Sequence, residues 1–351
     1  MNQRRLKIAV LGTGAIVERA HLPGLVADGN VEIHLFGRNR QRLDVLGNLF
    51  TIAKSYTSME ECLGMHDLDG AIIALPNFMH GDAAFMAIER RLPILLEKPI
   101  AHEIQTSREI VSRAIAADVP IHLNLPQRHR PSIRAMKQVI DSGAIGKIRT
   151  IDVSMLRQSG IPGFGTWFTQ RQFSGGGVLA DLGPHMLDIA FHLAGSYAAT
   201  VLDSAVWSDL GPRARGLGDW TEHRAIEDEP QAQFNVDDRA IVRLEGANGV
   251  RITCEVAWAY NGPDENRVRI VGEHGGLDYW PETYGLERPL VGYGDVNCLH
   301  SFPSDHQDLS LPWRKALESF LNAIRLGDDT SDSVTGLAVA ECISTVYAVR
   351  K

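Results

Sequence analysis

Near the N-terminus a short apolar run, Leu6 to Leu11 (LKIAVL), breaks straight into Gly12-Thr13-Gly14-Ala15-Ile16-Val17. So short and continuous a run is the mark of a strand buried on both faces of a parallel sheet. A glycine turn between such a strand and a helix presents backbone N–H groups, and the positive end of the helix dipole, to a pyrophosphate. Val17 stands where the dinucleotide fingerprint expects its third glycine. That glycine serves helix–strand packing, so its loss loosens the pattern without removing the phosphate cradle.

The next segments keep to the same plan. Val31–Phe36, a stretch around Ile52–Tyr56, Gly70–Leu75, Pro93–Glu97 and Ile121–Leu125 read as strands. Gln41–Leu49, Met59–Leu63, a segment opening at Asn77, and Ile104–Ala117 read as helices. This alternation predicts an open parallel sheet covered by helices on both faces. Ligands bind at the carboxyl ends of such strands, which collects Gly12, Gly14, Ala15, Ile16, Arg38, Pro76, Asn77, Glu97, Lys98 and Asn124 on one edge. His80, just beyond Asn77, joins the candidate cofactor contacts. The second strand exits into Gly37-Arg38-Asn39-Arg40, with no carboxylate to bond a ribose 2′-hydroxyl. Two guanidiniums and an amide suit a 2′-phosphate, so NADP(H) is favoured over NAD(H). Lys98 can bond a substrate hydroxyl and the nicotinamide ribose, and stabilise a developing alkoxide. Its neighbour Glu97 points to the opposite face of the strand and is a poor ion-pair partner for it.

The alternation stops near Leu125, which places a Rossmann domain at 1–124 and a second domain at 125–351. There Ile133–Asp141 reads as an amphipathic helix. Ile148–Leu156, Ala199–Trp207, Phe234–Leu244, Val250–Ala257 and Arg267–Val271 read as strands separated by turns, as for antiparallel neighbours. Asp209–Gln231 is a long polar excursion, Pro281–Asp308 is irregular, and the helices Pro312–Leu326 and Ser333–Val349 close the chain. Together these give α/β plus α+β: a doubly wound parallel sheet, then an open, mostly antiparallel sheet with helices on one face. The uncovered face calls for a partner, so a homodimer or homotetramer through that sheet is expected.

Within the second domain, Gly175 to Gly195 reads GGGVLADLGPHMLDIAFHLAG. Pro184 suits a helix start and Gly195 its end, which puts Asp181 just before the helix and His185 in its first turn. By spacing alone an N-cap aspartate with a surface histidine fits as well as a catalytic pair. His185, Asp188 and His192 tempt a zinc reading, but the two histidines would lie roughly 10 Å apart along one helix, so no metal is expected. No GxSxG elbow is present.

Read together, GTGAIVERAHLPGL at Gly12–Leu25, LPNFMH at Leu75–His80, EKP at Glu97–Pro99, QRHRP at Gln127–Pro131, SGAIGKI at Ser142–Ile148, the block at Ser174–Asp188 and IVGEHGGL at Ile270–Leu277 resemble the Gfo/Idh/MocA oxidoreductase family over almost the full length. The resemblance implies a catalytic lysine at Lys98, an Asp-x-x-x-His pair at Asp181 and His185, and a cis Lys98–Pro99 bond. It implies hydride transfer between nicotinamide and a secondary alcohol or ketone of a sugar, amino sugar or cyclitol. Whether Lys98 or His185 moves the proton stays open at this level. Asn124, Arg128 and Trp167 are further substrate-contact candidates. Rival readings are a glycosidase with retained NAD and a cofactor-sensing regulator without turnover. The presence of Lys98, Asp181 and His185 speaks against the regulator.

Composition sets the remaining bounds. A chain of 351 residues with 44% hydrophobic content suffices for two cores. A net charge of −8 argues against nucleic-acid or anionic-membrane partners. No apolar window reaches the roughly 18 residues of a spanning helix. Cys62, Cys254, Cys298 and Cys342 are scattered, as expected of reduced thiols in a cytoplasm.

Overall fold

The computed structural model describes residues 4–219, 222–226, 229–280, 288–296, 310–328 and 330–349. It divides into two compact units, Met1–Leu125 with Pro312–Leu337, and Pro126–Leu311 with Ala338–Lys351.

The first unit alternates β1 (Leu6–Leu11), α1 (Leu22–Asp28), β2 (Val31–Phe36), α2 (Arg40–Leu49), β3 (Lys54–Tyr56), α3 (Met59–Leu63), β4 (Gly70–Ile73), α4 (His80–Glu89), β5 (Ile94–Leu96), α5 (Ile104–Ala117) and β6 (Ile121–Leu123). All strands pair in parallel, in the order β3-β2-β1-β4-β5-β6. The order reverses between β1 and β4, and such a switch point opens a crevice at the carboxyl edge. Ile8 and Val10 face one apolar core, Ala9 and Leu11 the other, which is why the run carries no polar alternation.

One element of this unit comes from far along the chain. Helix α11 (Leu311–Leu326, numbered in chain order) buries Leu317, Phe320 and Leu321 among Ile8, Val10 and Leu22. Gly24 makes room for it: a Cβ there would stand 2.6 Å from Leu317 Cδ2. The split expected after residue 124 therefore assigns Pro312–Leu337 differently from the observed packing.

The second unit carries α6 (Pro131–Asp141), β7 (Ile148–Leu156), α7 (Arg171–Ser174), α8 (Val178–Asp181), α9 (Gly183–Ala194), β8 (Ala199–Trp207), α10 (Pro230–Gln233), β9 (Arg239–Gly246), β10 (Arg251–Ala257), β11 (Glu265–Gly272), β12 (Gly275–Trp280) and β13 (Arg288–Gly294); α12 (Ser333–Val349) follows α11. Its sheet runs β13-β12-β11-β7-β10-β9-β8, antiparallel except for the parallel β7–β10 pair. On β10, Ile252, Cys254 and Val256 are buried in the core beside α9 residues Met186, Ile189 and Leu193. The opposite face carries charged pairs such as Arg239–Glu255 and Arg251–Glu245.

Two readings of this half need correction. The strand expected over Phe234–Leu244 begins only at Arg239, because Asp237 and Asp238 turn their carboxylates to backbone N–H groups instead. The stretch Pro281–Asp308, expected to be irregular, contains β13; residues 281–287 and 297–308 lie outside those described. The described part of the Asp209–Gln231 excursion is docked on its own unit. Gly160 and Ile161 both donate to the Gly216 carbonyl, and Phe164 N–H donates to His223 Nδ1 at 2.7 Å. Among the described residues no helix is long and apolar enough to cross a membrane.

Candidate active site

At the carboxyl edge of the first sheet, Gly12 and Gly14 have different reasons to be glycine. Gly12 has φ +128°, and a Cβ there would lie 2.2 Å from the Ala74 carbonyl oxygen, so the turn is pressed onto the exit of β4. Around Gly14 a Cβ would meet nothing within 4 Å. The turn thus leaves open room beside bare backbone at Gly14, the kind of surface that suits a pyrophosphate. The chain beyond it makes a π-helical turn, Val17–His21, before α1. Val17, in the place of the third glycine, is fully buried.

Gly37 lies against Thr13, since a Cβ would stand 2.4 Å from Thr13 Cγ2, and this brings the arginine loop beside the glycine loop. Arg38, Asn39 and Arg40 are all exposed. Asn39 Oδ1 caps α2 by accepting from Arg42 N–H at 3.1 Å, and Arg40 stands 3.7 Å from Asp44. Arg42, passed over in the sequence reading, donates to the Thr13 carbonyl at 3.1 Å and to Glu18 at 2.6 Å, bracing the loop.

Pro76 precedes a 3-10 turn, Asn77–Met79, and His80 follows it, fully buried. The His80 nitrogens stand 2.8 Å from the Pro99 carbonyl and 2.9 Å from the Leu75 carbonyl, and burial pushes the ring's pKa down. A neutral imidazole has one N–H to give. His80 thus links the exit of β4 to the loop after β5. The Lys98–Pro99 bond is cis, and Lys98 is half-buried at that exit. Glu97 points inward. Its Oε1 lies 2.9 Å from His21 Nε2 and accepts from Asn124 Nδ2 at 2.6 Å. Burial pushes Glu97 up, but His21, the Asn124 amide and Lys98 together hold it below the usual carboxylate range. His21 carries no period signal that aims it inward; the π turn does that.

In the second unit the glycine block is shaped by the protein itself. Gly175 (φ +83°) ends α7. A Cβ on Gly176 would lie 2.3 Å from the Tyr347 hydroxyl, and one on Gly177 would lie 1.9 Å from the Asp237 carbonyl oxygen. The Asp237 carboxylate accepts from Gly177 N–H at 3.0 Å, Leu179 N–H at 2.9 Å and Tyr347 O–H at 2.8 Å. It thereby anchors α8, which ends at Asp181. Asp181 does not cap α9, whose first residues have no side-chain cap; it accepts from the Trp258 indole N–H at 2.8 Å. His185 is half-buried in the first turn of α9, as expected.

Arg128 reaches the fully buried Asp188, with Nε 3.0 Å from Oδ2 and Nη2 on Oδ1, while the Tyr197 hydroxyl donates to Asp188 at 3.1 Å. This clasp ties the loop before α6 to α9. Trp167 is half-buried and stacks on Phe168 with ring centroids 3.9 Å apart. Burial pushes His192 down. Among the described residues no group of His, Cys, Asp or Glu could hold a metal ion.

Two family models match the chain. Residues 6–125 match an oxidoreductase family with an NAD-binding Rossmann fold, and residues 133–278 match the GFO/IDH/MocA C-terminal domain. A D-glucoside 3-dehydrogenase of Escherichia coli (strain K12) is 23% identical across 99% of this chain and 96% of its own. A D-apiose dehydrogenase of Rhizobium rhizogenes is 25% identical across 92% of this chain and 86% of its own. Among solved structures, a levoglucosan dehydrogenase in complex with NADH and levoglucosan superposes with a TM-score of 0.80 at 18% identity, covering 99% of this chain and 98% of that one. An aldose-aldose oxidoreductase from Caulobacter crescentus, complexed with glycerol, gives 0.80 at 20% identity, covering 98% and 97%. With both domains matched in order, the chain belongs to the Gfo/Idh/MocA family of oxidoreductases.

Proposed function

We propose that this chain is an NADP(H)-dependent dehydrogenase or reductase acting on a secondary alcohol, or the matching ketone, of a sugar, amino sugar or cyclitol. The observation that carries the reading is the edge of the first sheet, where the open cradle at Gly14 and Lys98 leave from strands of one sheet. Arg38, exposed beside that cradle, supports a 2′-phosphate on the cofactor. The relatives named for glucoside, apiose and levoglucosan oxidation support a sugar substrate.

When bound, the nicotinamide accepts or supplies the hydride. Backbone N–H groups of Gly14, Ala15 and Ile16 would hold the dinucleotide's pyrophosphate, and Arg38 would hold the 2′-phosphate of its adenosine ribose. Lys98 Nζ donates to the reacting oxygen and steadies the charge that develops there. His185 takes the hydroxyl proton in oxidation and returns it in reduction. Asp181 accepts a hydrogen bond from a neighbouring substrate hydroxyl.

The test is NADPH oxidation, followed at its absorbance band, against a panel of keto-sugars and keto-cyclitols. Turnover with at least one is expected, and Lys98→Ala should cut kcat by about 100-fold or more while NADPH still binds. Undiminished turnover in that variant would remove Lys98 from the mechanism. Arg38→Ala should weaken NADPH more than NADH; an unchanged ratio would end the 2′-phosphate assignment.

A further inference from the structure

Asp181 depends on a residue 77 positions away. Trp258 follows β10 directly, is 1% exposed, and donates its indole N–H to Asp181 Oδ2 at 2.8 Å. Its own backbone is held, since Trp258 N–H donates to the Asp238 carbonyl at 2.9 Å. Asp238 is fixed in turn: its carboxylate accepts from Asp209, Leu210 and Gly211 N–H at 2.8, 2.7 and 2.9 Å. The indole therefore enters from a rigid corner of the sheet and not from a mobile loop.

An indole N–H is a donor only and does not titrate. Buried, it requires an acceptor, and a carboxylate is the strongest one available, so the bond is charge-assisted. Asp181 ends a helix of one turn whose other end is tied down by Asp237. The indole holds one oxygen of this carboxylate at the end of that turn.

We propose that Trp258 is the positioning residue for Asp181, setting the carboxylate as a fixed hydrogen-bond acceptor for a substrate hydroxyl. This rests on the proposed role of Asp181. The indole acts through the carboxylate and has no contact of its own with the reacting atoms.

Trp258→Phe removes the N–H and keeps most of the ring. It should lower kcat/KM by about 10- to 100-fold, because misplacing a group by about 1 Å costs on that order, and leave NADPH affinity within about twofold. In an Asp181→Ala background the same change should cost less than about twofold, since the group it positions is gone. Equal losses in both backgrounds would overturn the proposal. Full turnover in Asp181→Ala alone would instead strike out the role of Asp181 in the proposed function. If Trp258→Phe does not fold, wild-type and Asp181→Ala proteins labelled with ¹⁵N-tryptophan decide. The Trp258 indole N–H resonance should move upfield and exchange faster with water once the carboxylate is removed. An indole resonance that stays in place would refute the bond itself.

Discussion

At the scale of single residues, two glycines of one turn ask for opposite outcomes. Gly12→Ala puts a methyl 2.2 Å from a backbone oxygen at φ +128°, where no flexible side chain can yield. It should cost on the order of 3 kcal/mol and lower the melting temperature. Gly14→Ala adds a methyl to open space, so the melting temperature should hold while NADPH affinity falls by about tenfold or more. Thermal melts and a fluorescence titration of NADPH check both; a Gly14 variant that binds normally would move the cradle elsewhere. The motif was legible in the sequence, but it treats the two glycines alike. Only the contact with Ala74 separates the packing requirement from the ligand one. His80 follows the same logic: its place after Asn77 was legible, but the two backbone carbonyls that its ring nitrogens meet were not.

At the scale of elements, the informative unit is the glycine block with α8. The sequence showed a helix starting at Pro184, with Asp181 and His185 flanking that start. It did not show what holds the block, because the expected strand Phe234–Leu244 ran straight through Asp237. Two adjacent aspartates in a run otherwise destined for burial were the available signal, since such carboxylates are buried only with donors on them. Asp237 is 1% exposed and collects two backbone N–H groups and the Tyr347 hydroxyl. Asp237→Ala should cost on the order of 3 kcal/mol, and Tyr347→Phe about 1 kcal/mol, in urea unfolding. If Asp237→Ala is as stable as wild type, water replaces the carboxylate and the block is held by its glycine packing alone.

For the whole molecule, the change from βα alternation to period-two strands near Leu125 was readable. The return of α11 to the first core was not, because an amphipathic stripe shows that a helix is buried but not against which sheet. Each unit also holds histidines at least partly out of water, and this gives stability a pH dependence of definite sign. Burial pushes His80, His122 and His192 below the ordinary histidine value. His122 Nε2 is buried with no hydrogen-bond partner among the described residues. Above about pH 6.5 these rings are neutral in both the folded and unfolded chain, and their contribution is fully present. As pH falls through that value the unfolded chain takes up protons that the folded one refuses, so stability drops. Glu97, held low in the fold, adds a further loss as pH falls below the unfolded carboxylate value of about 4.3. The melting temperature should therefore decline from about pH 7 to about 5.5, before most carboxylates titrate, and again below about pH 4.3. His122→Leu removes one of the refused protons and should flatten the first decline while leaving the second. A melting temperature constant between pH 7 and 5.5 would mean that the folded protein accepts charge at these rings.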